Sequence, residues 1–217
     1  MHEKRILDMY NREAEKYGMK DRRSLFWTKD KQDMRFNLLL GEKYRQSGMS
    51  LLDYGCGFAD LAGFIERNFY ALRYCGCDIN PGFVEEASLR YPDKEIFAIG
   101  SVNDLQEHYD IVLASGTFNL IGIEDEAEKE RYVFQHLQTL FEHTDFMLTV
   151  NFLSHLTDAD YRYAGHFYLD PTRLYRFAVE HLSRRVQIDT AGLPYEITVK
   201  IFKPQTIDER NVLYKEV

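Results

Sequence analysis

Eight residues constrain this 217-residue chain more than any others: Asp53-Tyr54-Gly55-Cys56-Gly57-Phe58-Ala59-Asp60. The run Leu51-Leu52-Asp53-Tyr54 reads as a strand, and Leu61, Phe64, Ile65 and Phe69 recur at the spacing of one buried helix face. Two glycines at such a strand-to-helix junction let the backbone turn sharply and come close to a ligand that a Cβ would hold off. The loop therefore predicts a nucleoside-type site at the end of a first strand.

From Ser50 onward short apolar runs alternate with amphipathic segments, the pattern of βα units around a mostly parallel sheet. Strands are expected at Leu51–Tyr54, Leu72–Cys77, Ile96–Ile99, Tyr109–Ala114 and Phe146–Phe152. Pro81 suits the first turn of a helix reaching about Tyr91, and Asp170-Pro171 opens another. Val133, His136, Leu137, Leu140 and Phe141 mark the buried stripe of a long charged helix, on which His136 reads as a core residue. Arg185–Thr190 and Tyr195–Phe202 are joined by Ala191-Gly192-Leu193-Pro194, short enough for an antiparallel pair. Ahead of the sheet, Ile6, Met9, Tyr10, Ala14 and Tyr17 predict a helix stopped at Gly18, and a second is expected over about Asp30–Tyr44. The expected organisation is a helical cap or lid at 1–48, a core at 49–204 and a loosely attached tail at 205–217.

The formal net charge of -8 opposes the phosphate attraction on which nucleic-acid binding rests, and the basic cluster Lys20, Arg22, Arg23 reads as a solvated helix exit. No run approaches the ~20 apolar residues of a membrane span and no signal-peptide core follows Met1, so a cytoplasmic protein without membrane partners is expected. Cys56, Cys75 and Cys77 read as small buried residues. No further cysteine and no suitably spaced histidine pair completes a metal site.

Asp78 ends the second strand about twenty residues after the glycines, where a carboxylate can accept from both hydroxyls of a ribose. Dinucleotides and S-adenosylmethionine are both held in this way. The dinucleotide fingerprint GxGxxG requires a glycine at position 60, which is Asp60. A carboxylate there would repel a pyrophosphate and suits a ligand bearing an ammonium group.

Leu52-Asp53-Tyr54-Gly55-Cys56-Gly57-Phe58-Ala59-Asp60-Leu61 resembles the first motif of the class I S-adenosylmethionine-dependent methyltransferases. Cys77-Asp78-Ile79-Asn80 resembles their ribose-binding motif, Gly100-Ser101-Val102 falls where their adenine-contacting segment lies, and Tyr109–Ser115 resembles their fourth-strand motif. The resemblance covers about residues 50–155, and the C-terminal antiparallel pair resembles the family's sixth and seventh strands. It implies an α/β fold: a Rossmann-like, seven-stranded, mostly parallel sheet with helices on both faces, an antiparallel last strand and an N-terminal helical lid. It also implies that Asp53, the Gly55-Cys56-Gly57 backbone and Asp60 face the methionine part of the cofactor. Asp78 and Ile79 then meet the ribose, Val102 the adenine, and Ser115 the same pocket. Ala59 stands where a third glycine is usual, and Ser101 where many members carry an Asp for the adenine amino group, so that Ser101 or Asn103 would substitute. Tyr10–Tyr17 resembles a Tyr-rich lid helix, with Tyr10 and Tyr17 placed to cap the methionine end or to pack as an apolar face. Trp27, Gln32 and Arg35 resemble features of small-molecule members, Arg35 being a candidate partner for the cofactor carboxylate or a surface residue.

Methyl transfer is an in-line displacement, so positioning and exclusion of water matter most, and a base is needed only if the acceptor must lose a proton. His155, just past the fifth strand, and His166, in the aromatic stretch Tyr161–Tyr168, are the candidate catalytic bases, each with a substrate-binding or structural alternative. The Asn/Asp-Pro-Pro-Tyr-like signature of amino-methylating members is replaced by Ala114-Ser115-Gly116-Thr117. The expectation is O- or N-methylation of a small-molecule acceptor by a monomer or homodimer. The alternatives are a non-catalytic S-adenosylmethionine-binding regulator and an NAD-dependent oxidoreductase.

Overall fold

A computed structural model describes residues 2–25, 32–44 and 47–204. Its elements are α1 (His2–Tyr17), α2 (Gln32–Leu40), β1 (Ser50–Tyr54), α3 (Asp60–Arg67), β2 (Arg73–Asp78), α4 (Pro81–Arg90), β3 (Glu95–Ala98), β4 (Tyr109–Ala114), α5 (Glu126–Glu142), β5 (Thr144–Ser154), β6 (Tyr168–Leu169), α6 (Pro171–His181), β7 (Val186–Asp189) and β8 (Glu196–Phe202), with short 3-10 turns between them. The sheet runs β3-β2-β1-β4-β5-β8-β7, with β6 paired to β5 off that path. Strands β1 to β5 are mutually parallel, whereas β8 is antiparallel to both β5 and β7.

Successive strand residues face opposite sides of the sheet, and each side is closed by its own helices. Leu52, Val112, Leu148, Val150 and Ile201 pack with Val133, Leu137 and Leu140 of α5 and with Leu174 and Ala178 of α6. Leu51, Ile111, Leu113 and Met147 pack with Phe36 and Leu39 of α2 and with Leu61, Phe64 and Ile65 of α3. The order of the strands reverses between β1 and β4: the chain leaves β1 toward β2 on one side and leaves β4 toward β5 on the other. The loops after β1 and β4 therefore separate and leave a crevice at the carboxyl ends of the strands.

Several boundaries differ from the sequence expectation for identifiable reasons. The second helix stops at Leu40 rather than Tyr44, because Gly41 takes φ +76° and the chain continues as a 3-10 turn over Glu42–Tyr44. Its expected start at about Asp30 lies outside the described residues. β5 runs Thr144–Ser154, longer than expected, because β4 and β8 pair along its two edges. The sheet has eight strands rather than seven, and the extra one is β6. Its two residues, Tyr168 and Leu169, pair with Leu153 and Ser154, too short a strand for any periodicity to announce. The expected tail 205–217 lies outside the described residues.

Candidate active site

The glycine loop is held by the end of β2. The Gly55 and Cys56 N–H groups both donate to the Cys77 carbonyl, at 2.8 and 3.0 Å. The Gly57 N–H donates to Asp78 Oδ2 at 2.9 Å, and the Asn80 N–H donates to Asp78 Oδ1 at 2.9 Å. Asp78 thus fixes the glycine loop as well as ending the neighbouring strand. Each carboxylate oxygen has a second lone-pair direction left for a ligand. Gly55 sits at φ +75°, and a Cβ there would lie 2.6 Å from Thr117 Oγ1, whose hydroxyl donates to the Tyr54 carbonyl at 2.9 Å. Ala59, the residue in place of a third glycine, adopts the left-handed region at φ 56°, ψ 38° just ahead of α3, a conformation that costs an L-residue about 1–2 kcal/mol.

The crevice is a cavity lined by Asp53, Tyr54, Gly55, Cys56, Gly57, Asp60 and Leu61 around the first loop, by Asp78, Ile79 and Phe83 after β2, and by Ile99 after β3. It is also lined by Ser115, Gly116, Thr117 and Phe118 after β4, by Ile6 and Tyr10 of α1, by Leu25, Gln32 and Phe36, and by Tyr132 and His136 of α5. Tyr10 meets Phe83 edge to face at 5.9 Å. Of the residues singled out in the sequence, Tyr10, Gln32, Asp53, Gly55, Cys56, Gly57, Asp60, Asp78, Ile79 and Ser115 come together here.

Three carboxylates and no Lys or Arg appear among the described residues that line the cavity. Burial raises the Asp53 acid to about 7, partly opposed by the Tyr74 hydroxyl, which donates to its Oδ2 at 2.9 Å, and reinforced by Asp78 and Asp60. Asp78 is also raised by burial, against the hydrogen bonds it accepts from the backbone. Gln32 donates to Asp60 Oδ2 at 3.2 Å. Ser115 Oγ is buried with no hydrogen-bond partner among the described residues. Such a cavity is stabilised by a ligand that brings positive charge to the carboxylates and polar groups to the idle hydroxyl.

Other candidates lie elsewhere. Arg35 makes a bidentate pair with Glu196, which also accepts from Asn151 Nδ2, while Asn151 Oδ1 accepts from the Gly116 N–H at 2.8 Å. Arg35 therefore braces the β4 loop through β8 and β5 and does not line the cavity. Tyr17 stacks beneath Lys16 and Arg23, and Arg23 is itself paired with Asp21. Ser101 and Val102 line a shallower groove beside the cavity, where the Ser101 hydroxyl accepts from the Asn103 N–H to cap a 3-10 turn. His155 and His166 line a third groove with Arg162, Tyr163, Asp170 and Arg173, and it shares no lining residue with the cavity. His155 is exposed, and burial lowers the His166 imidazole. Trp27 lies outside the described residues.

Sequence reasoning does not single out Tyr132, and it reads His136 as core alone. His136 stands on the buried stripe of α5, four residues after Tyr132, and reads there as core. A polar i, i+4 pair interrupting an apolar stripe is the signal that marks it. Residues 52–140 match the family model described as a methyltransferase domain. A Mycobacterium tuberculosis protein, named provisionally as a methyltransferase, is 25% identical over 155 residues, covering 71% of this chain and 93% of that protein. The magnesium protoporphyrin IX methyltransferase of Synechocystis PCC 6803, solved with bound S-adenosylhomocysteine, superposes with a TM-score of 0.65 at 12% identity, over 92% of this chain and 98% of that one. Human N-acetylserotonin methyltransferase in complex with S-adenosylmethionine gives 0.63 at 14% identity, over 91% and 58%. At these identities the likeness to the solved structures is one of fold. No described helix of the chain is long and apolar enough to cross a membrane.

Proposed function

We propose that this chain binds S-adenosylmethionine in the cavity between the β1 and β4 loops and transfers its methyl group to an oxygen or nitrogen of a small-molecule acceptor. The observation that carries the reading is the buried acid Asp53, raised to about 7 in a cavity whose described lining holds three carboxylates and no basic side chain of Lys or Arg. An ammonium ion beside it would restore its charge and relieve that cost. The residues present fit the cofactor. Asp53, Asp60 and the Gly55–Gly57 backbone would hold the amino-acid end, Asp78 the ribose and Ser115 a further polar atom. When bound, the cofactor supplies a methyl carbon already activated by sulfonium charge.

The chain's own contribution is orientation and exclusion of water. Thr117 and Phe118 line the cavity after β4, and Tyr10 packs edge to face on Phe83 in its wall. No proton transfer is assigned to His155 or His166, since their groove has no lining residue in common with the cavity. A small acceptor is supported by Ile6 and Tyr10 of α1 in the cavity wall and by the net charge of -8, which disfavours polyanions. Isothermal calorimetry with S-adenosylmethionine, S-adenosylhomocysteine and NAD tests the cofactor. Binding of the first two without NAD is expected, and tight NAD binding alone would overturn the proposal. A screen of small acceptors for S-adenosylhomocysteine release then identifies the class of substrate.

A further inference from the structure

His136 is 6% exposed and forms part of the cavity wall, and the adjoining groove that holds Ser101 and Val102 shares that wall. Its Nδ1 lies 2.8 Å from the Tyr132 carbonyl oxygen one helical turn earlier. A carbonyl only accepts, so Nδ1 carries the proton. Burial lowers the imidazole's affinity for a second proton, against a smaller opposing effect of the Glu3 carboxylate on α1. Nε2 is then a bare lone pair, and among the described residues it makes no hydrogen bond. The groups around the ring are Tyr132 at 4.0 Å between centroids, Phe118 at 5.9 Å, Tyr54 at 6.4 Å and Glu3.

The position of this acceptor follows from the residues that line the cavity and the groove beside it. Ile79, the residue after Asp78, and Ile99, whose N–H donates to the Asp78 carbonyl at 3.0 Å, both line the cavity, two apolar side chains against which the base of a nucleoside held by Asp78 would pack. Tyr132 and His136 line both this cavity and the groove that holds Ser101 and Val102. Ser101 and the exposed Asn103 face the outer groove, and the Ser101 hydroxyl is occupied as a cap. Tyr54 and Tyr132 carry hydroxyls that can donate or accept. Among Tyr54, Ile79, Ile99, Tyr132 and His136, neutral His136 alone offers a side-chain atom that only accepts.

We propose that His136 Nε2 accepts a hydrogen bond from the exocyclic amino group of the cofactor's adenine, and so makes the cavity selective for adenosine over a nucleoside with a carbonyl at that carbon. His136 is then a specificity-determining residue. This rests on the cofactor reading above and is tested so that the two fail separately. Calorimetry compares S-adenosylhomocysteine with S-inosylhomocysteine, which puts a carbonyl oxygen opposite Nε2. The wild-type chain is expected to prefer the adenosyl ligand by roughly tenfold or more, as sites built for one hydrogen-bonding pattern do. His136→Phe should bring the two within about threefold, chiefly by weakening the adenosyl ligand, and His136→Gln, which restores a carbonyl acceptor, should recover part of the preference.

A wild-type ratio near one, or a ratio that persists in a folded His136→Phe, overturns the inference while leaving the cofactor reading in place. Absence of binding by both ligands to the wild-type chain overturns the cofactor reading itself. Should His136→Phe fail to fold, 15N NMR of histidine-labelled wild-type protein decides. The unprotonated His136 Nε2 resonance should move upfield with the adenosyl ligand and not with the inosyl one, and equal responses would refute the assignment.

Discussion

Replacing Asp53 by Asn should make the ligand-free protein more stable at alkaline pH and a poorer binder of S-adenosylmethionine. Asp53 is 3% exposed, and burial raises its acid from 3.8 to about 7. The folded chain therefore holds a proton that the unfolded chain releases between these two values. Because the unfolded state binds fewer protons in that window, stability falls as pH rises through it and levels off above about 7. At ~1.4 kcal/mol per unit, ionising this acid costs the fold up to about 4 kcal/mol at alkaline pH, an upper limit because the cavity can relax around the charge. Asn carries no charge at any pH, and its carbonyl oxygen can keep the bond from the Tyr74 hydroxyl. Between about pH 5.5 and 8.5 the wild-type chain crosses about 1.5 units of the window, so the advantage of Asp53→Asn should grow by about 2 kcal/mol. Urea denaturation of both proteins at the two pH values measures this directly, and His136, common to both, cancels in the difference. An advantage that does not change with pH would show that Asp53 ionises freely in the fold, and the argument from a desolvated acid would be wrong.

Other perturbations follow from the same geometry. Binding of S-adenosylhomocysteine near pH 6.5 should release a proton from Asp53, because the ligand's ammonium lowers the acid again, and calorimetry in two buffers of different ionisation enthalpy should show the difference in heat. Asp78→Asn should weaken that ligand by roughly 10- to 100-fold, since one amide oxygen cannot serve both the Gly57 and Asn80 N–H groups, about 1–3 kcal/mol. Gly55→Ala should abolish binding by driving Thr117 from its bond to Tyr54. Gly57→Ala should be milder, because its Cβ would meet only the end of the flexible Leu25 side chain at 3.0 Å, and titration of both variants would expose equal losses as a failure of this argument. Arg35→Met should cost about 3–5 kcal/mol in urea denaturation by stranding Glu196, with cofactor affinity affected less than stability; a direct carboxylate contact would reverse that order.

The architecture is legible because its causes are local. Alternating apolar runs, Asp and Pro at helix starts and the paired glycines each report on a few neighbouring residues, and together they specify a parallel sheet closed by an antiparallel pair. The loop Asp53–Asp60 and the acid Asp78 are legible for the same reason, since the backbone turn and the strand end dictate those residue types at that spacing. Ends of elements are less so: β5 is lengthened by partners on both edges, and β6 exists only because β5 is there to pair with it.

What the tertiary structure decided is which polar side chain meets which. Arg35 and Glu196 are 161 residues apart in sequence, and no local pattern pairs them, so a candidate ligand for the cofactor became a brace for the β4 loop. His155 lies one residue beyond the end of β5, yet the return of the chain through β6 turns it to a different groove. His136 belongs to a helix stripe that reads as core, yet the folding of α5 against the β1 and β4 loops makes it a wall of the cavity. Spacing along one helix tells which face is buried, and only the packed chain tells whether that face meets a sheet or a ligand site.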